Sequence, residues 1–223
     1  MSSSSDIQRA ISDLAVIRRA IERVGGPEVR RPAVATILVQ GGAFCLAILF
    51  AGFELRSDHA QTALLVLSRD HEWVRVSGIA DVAILLLLIT VSVYLIVSSA
   101  ARKQEESLDS YLAKHFHYLK NFSFLADLFV KFVIFSLIVL ARKPEWIAPL
   151  LSLFTADYLF QGRLFTLPVR LALGVGALCV VAAVYQFRAS DPTLLYPLLT
   201  FSLVSGLSLL LSLRSYRTAG AAE

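Results

Sequence analysis

The chain has 223 residues, of which 57% are hydrophobic and 17% charged, and a formal net charge of +4. A water-soluble domain sits near 45–50% apolar and about 25% charged, so both departures point to lipid. In such a chain a surplus of Lys and Arg records orientation, because cytoplasmic loops collect basic residues, and nucleic acid is not an expected partner.

Taken in order, residues 1–32 predict a cytoplasmic amphipathic helix and linker. Asp6 can cap a helix over 6–24 that Gly25-Gly26-Pro27 stops. Ile7, Ile11, Leu14 and Ile21 make a narrow apolar stripe between charged positions, suited to a membrane surface or to a partner helix. The opening serines followed by charges do not make a secretory signal, and Asp6, Asp13 and Glu22 argue against a mitochondrial presequence. The expected location is therefore a bacterial cytoplasmic membrane.

From Ala33 to Phe53 no residue is charged, long enough for a first span over 33–53. Residues 54–76 are an external loop whose apolar patch, Ala63 to Leu67, is too short to cross. A short helix at the interface, anchored by Trp73, is the economical reading. The second span is 78–101, with Asp81 near the outer interface and Arg102-Lys103 closing it. Residues 105–120 show a second cytoplasmic amphipathic pattern, with Leu108, Tyr111, Leu112, His115, Phe116 and Leu119 at helical spacing. Leu108, Tyr111, Leu112 and Phe116 are its candidate contact residues.

Spans three to six are expected at 122–141, 145–160, 168–187 and 192–213, followed by a cytoplasmic tail over 214–223. Pro168 and Pro192 are placed in the first turns of the last two. The fourth span is short, and charge tests it. With both termini inside, only Arg56, Arg69, Arg75, Arg142, Lys143 and Arg188 face out; the other basic residues, Lys131 within span three excepted, face in. Without the fourth span that bias nearly vanishes, so the positive-inside rule favours six. The expected fold is all-α and polytopic, with a membrane domain over 33–213.

Ionisable groups in hydrocarbon cost at least about 2.5–3.5 kcal/mol and therefore face protein or water. Asp127 and Lys131 lie four apart on one face of span three. Asp157 in span four falls at similar depth, with Arg163 just below. Two readings follow: a clasp that holds helices three and four together, which is favoured, or a proton or ion relay. Asp58-His59 and Asp70-His71-Glu72 offer metal-ligand types in the outer loop, but nothing in their spacing fixes a geometry. No metal or other cofactor is expected. Cys45 and Cys179 lie in apolar runs as packing residues. Small residues in span five (Ala172, Gly174, Gly176, Ala177) and span six (Ser202, Ser205, Gly206, Ser208, Ser212) suit close helix packing.

No zincin, nucleophile-elbow or phosphate-loop pattern occurs, and an enzyme is not expected. The expectation is an accessory, assembly or regulatory subunit acting through protein contacts. Its partners would be the bilayer and other membrane or cytoplasmic proteins, with a homo-oligomer left open. The alternative is a small transporter or channel that uses Asp127, Lys131 and Asp157.

Overall fold

The computed structural model describes residues 34–116, 121–163, 165 and 167–220. The stripe of Ile7, Ile11, Leu14 and Ile21 lies outside these residues. Among these, residues 34–212 form one compact unit and residues 213–220 belong to another. Among the described residues the chain is helical and has no strand.

The described residues form eight α-helices in order: α1 (Val34–Arg56), α2 (Ala60–Leu67), α3 (Glu72–Lys103), α4 (Leu108–Phe116), α5 (Asn121–Leu140), α6 (Ile147–Phe160), α7 (Val169–Ala189) and α8 (Leu195–Gly220). A short 3₁₀ turn, Pro144–Trp146, leads into α6. Among the described residues four helices are long and apolar enough to cross a membrane: α1, α3, α7 and α8 up to Arg217. The chain is thus a membrane protein with transmembrane helices. α6 has 14 residues and is about 21 Å long, short of the ~30 Å hydrocarbon core.

Several boundaries differ from the sequence expectation, each for a local reason. α3 starts at Glu72 rather than 78, because the second half of the loop is already helical. α4 starts at Leu108 rather than at 105. Glu105 is left-handed (φ 55°), and the Ser107 hydroxyl accepts the Ser110 amide at 3.3 Å, as an N-cap does. α8 starts at Leu195, so Pro192 precedes it and Pro197 occupies its first turn. The Asp191 carboxylate accepts the Thr193 amide at 3.0 Å and the Thr193 hydroxyl at 2.6 Å, which turns the chain before the helix begins. Pro168 is the N-cap of α7 rather than a first-turn residue.

The apolar stripe of α4 is buried within the chain. Tyr111, Leu112 and Phe116 join Ala35 and Val39 of α1 and Val97 and Ala101 of α3 in one core cluster, with Leu108 packed against it. These residues do not form an open contact surface. Periodicity signals that a face is buried, not what buries it.

A second cluster joins α6, α7 and α8 through Ala156, Leu159, Ala172, Cys179 and Val204. Glycine allows the closest approaches here. A Cβ on Gly176 would lie 2.6 Å from the Phe160 ring, and one on Gly206 would lie 2.8 Å from Phe44. Gly174, by contrast, faces open space. Ser202, Ser205, Ser208 and Ser212 are all buried; Ser202 and Ser205 return their hydroxyls to α8 carbonyls, and Ser212 donates to the Gln40 side chain at 2.9 Å. Ser212 and Gly206 thus bring α8 against Gln40 and Phe44 of α1.

Candidate functional site

α5 and α6 are joined by three charges. Lys131 sits one turn after Asp127 on α5, and its Nζ lies 2.5 Å from Asp127 Oδ1 and 3.0 Å from Asp157 Oδ2 on α6. The Lys131 and Asp127 side chains are 12% and 15% exposed, whereas Asp157 is 40% exposed. Desolvation therefore falls on the α5 pair, and Asp157 keeps access to the surroundings.

The ammonium also faces aromatic rings, with Tyr158 at 4.4 Å and Phe154 at 5.5 Å from ring centroid to Nζ. A ring face attracts a cation and replaces part of its lost hydration. Gln161, one turn beyond Asp157, donates from Nε2 to Asp157 Oδ1. Asp127 Oδ2 is buried without a hydrogen-bond partner among the described residues. One ammonium thus serves two carboxylates, and the cluster carries a formal charge of about −1.

Of Asp127, Lys131, Asp157 and Arg163, the structure brings the first three together around the Lys131 ammonium. Arg163 follows Gly162, whose φ of 61° ends α6, and its amide closes the turn on the Tyr158 carbonyl at 3.0 Å. Gln161 belongs to the cluster although its sequence context gave no charge to notice.

A second polar site escapes sequence reasoning altogether. Glu54, in the last turn of α1, is 0% exposed. Its carboxylate accepts the amides of Gln61 at 2.9 Å and Thr62 at 3.2 Å, and also the Thr62 hydroxyl. His59 Nδ1 lies 3.5 Å away. Gln61 and Thr62 are the second and third residues of α2, so Glu54 caps free amides at the positive end of that helix.

At the other end of α2 the buried Arg75 of α3 donates Nη1 to the carbonyls of Ser68 at 3.2 Å and Arg69 at 3.1 Å. An anion at the N-terminus and a cation at the C-terminus both complement the helix dipole. Further links tie this corner to the rest of the bundle. The Leu194 amide donates to Thr62 Oγ1 at 3.2 Å, Gln186 donates to the Thr193 carbonyl at 3.3 Å, and Ser152 faces Gln186 Oε1 at 3.5 Å. The available signal was Gln61-Thr62 opening a short apolar run, with a carboxylate one loop earlier.

The histidine–carboxylate pairs of this loop do not converge. Among the described residues no group of three or more His, Cys, Asp or Glu side chains is placed to hold a metal ion. Cys45 is exposed and Cys179 buried, and neither is in a disulfide. No protein-family model, no curated protein and no solved structure matches this chain.

Proposed function

We propose that the chain is an integral membrane accessory, assembly or regulatory subunit that acts by binding another membrane protein. The observation that carries this reading is the poor coverage of α3. The most apolar 18-residue stretches of α1, α7 and α8 are 33%, 28% and 33% buried, whereas the corresponding stretch of α3 is 0% buried. Ile84, Leu87, Leu88, Val91, Tyr94 and Leu95 are all exposed on it. Without a hydrophobic drive between helices in lipid, such a flank gains most from close packing with a second chain. The Lys131 cluster is consistent with this role, since its charges bind one another.

On this reading the membrane domain crosses six times, with α5 and α6 as spans three and four. The 3₁₀ turn and α6 together rise about 27 Å, close to the core thickness. Both termini then face the cytoplasm of a bacterial cell, and the α1–α3 corner faces outward. Affinity purification from native membranes in mild detergent, after crosslinking from Leu88→Cys, tests the subunit role. A specific crosslinked protein is expected; a chain that crosslinks to nothing and purifies alone overturns it.

The transporter reading keeps one specific support: Asp127 Oδ2 is buried and unpartnered beside an exchangeable ion pair. Ion flux in vesicles containing the purified chain alone, lost in Asp127→Asn, would establish that reading instead.

A further inference from the structure

α2 is fixed at both ends by side chains and backbone of the helices on either side of it. Gln61 Nε2 donates to the Phe50 carbonyl at 2.8 Å, and Glu54 reaches the amides of Gln61 and Thr62. Phe50 lies six residues before the end of α1, about 9 Å along the helix axis. The start of α2 therefore lies alongside the final turns of a helix long and apolar enough to cross a membrane. Arg75 fixes the far end against the start of α3, a second such helix.

What α2 shows outward at that level is apolar. Leu64 is 55% exposed, Val66 43% and Leu67 41%, and just beyond it Trp73 is 68% and Val76 58% exposed. The surface continues the lipid-facing flank of α1, where Leu49, Phe53 and Leu55 are likewise exposed. Lone exposed leucines need no explanation, but five exposed apolar side chains between Leu64 and Val76, beside a helix that can cross a membrane, do. An exposed tryptophan beside them supplies the amphipathic ring favoured where headgroups meet acyl chains.

We infer that the outer face of α2, together with Trp73 and Val76, is a lipid-anchoring surface bedded at the boundary between phospholipid headgroups and acyl chains. The occupant is phospholipid, because Glu54 and Gln61 seat the patch beside the exposed apolar flank of α1, a helix long and apolar enough to cross the bilayer. This inference stands apart from the subunit role and does not need it. Its consequence is that α2 transmits the level of the bilayer surface to the α7–α8 turn, since Thr62 on its inner side holds the Leu194 amide.

Fluorescence quenching tests the assignment. The chain has two tryptophans, so Trp146→Phe leaves Trp73 as the reporter in phosphatidylcholine vesicles. Acyl chains brominated near the glycerol end should lower its emission by about twofold, more than chains brominated near the tail end, as expected for an interfacial ring. Aqueous iodide should quench it weakly. Strong iodide quenching without bromolipid quenching would place the patch in water, and protection from both would place it under protein; either outcome overturns the inference. Leu64→Trp in a Trp73→Phe/Trp146→Phe background repeats the measurement on α2 itself and should give the same depth order.

Discussion

Replacing Lys131 by methionine keeps an apolar stem of similar length and removes the charge that Asp127 and Asp157 share. Both carboxylate oxygens lie against the same Nζ, at 2.5 and 3.0 Å, so they are at most about 5.5 Å apart. At an effective dielectric near 20, two like charges at that distance repel by about 3 kcal/mol. The same figure is the low end of the cost of removing one partner of a buried pair, about 3–5 kcal/mol, and the low end is apt because Asp157 is 40% exposed. At roughly 2–4 °C per kcal/mol for a chain of this size, the melting temperature in detergent should fall by about 6–12 °C.

Adding Asp127→Leu removes the repulsion and the more buried carboxylate together. Asp157 keeps its Gln161 donor and its exposure, so more than half of the loss should return. Thermal unfolding of the wild type, both single variants and the double variant closes a mutant cycle. If Lys131→Met melts with the wild type, or if the double variant is less stable than the sum of the singles, the cluster does not clasp α5 to α6.

Three further outcomes follow from other contacts. Glu54→Gln should speed amide exchange at Gln61 and Thr62 and destabilise the chain by about 1–2 kcal/mol, because a neutral side chain replaces a buried anion at a helix N-terminus; unchanged exchange there refutes the capping role. Gly176→Ala should lower the melting temperature through the clash with Phe160, and Phe160→Leu should relieve it; an unaffected Gly176→Ala variant means that α6 and α7 pack less closely than described. Tyr111→Phe should be neutral or stabilising by up to about 1 kcal/mol, since the fully buried hydroxyl has no hydrogen-bond partner among the described residues. Burial, with the Glu106 charge second, pushes the Tyr111 phenol from 10.0 up to about 12. An acid raised on folding stabilises the fold fully below its unfolded value, and that contribution is lost as pH rises from about 10 towards 12. Melting curves of Tyr111→Phe over that range should therefore show less alkaline loss than the wild type.

The sequence exposed some of this and hid the rest for identifiable reasons. Long uncharged runs announced α1, α3, α7 and α8, since composition alone distinguishes lipid-crossing segments. Lys131 and Asp157 could be paired from helix depth, because antiparallel neighbours bring equal depths together. Glu54 and Arg75 stayed hidden because a charge at the end of a span is ordinarily solvated; only the fold of α2 reveals two buried charges at its two ends. The stripe of Tyr111, Leu112 and Phe116 was legible as a buried face, but its neighbours Val39 and Val97 are distant in sequence and carry no pattern that names them. Gly176 was legible as small, whereas the ring of Phe160 that needs the space was not.

The corner built by Glu54, α2 and Arg75 also bears on how the chain folds during synthesis. The Glu54 and Arg75 bonds that fix α2 at its two ends lie within residues 54 to 75, so loop closure is short and these contacts are local. The corner can close once Arg75 has left the ribosome, before α5 exists. The Leu194 amide reaches Thr62 only after all the intervening helices have been made. The oldest part of the nascent bundle thus waits as a finished socket, and α8 is the last helix to be seated from it.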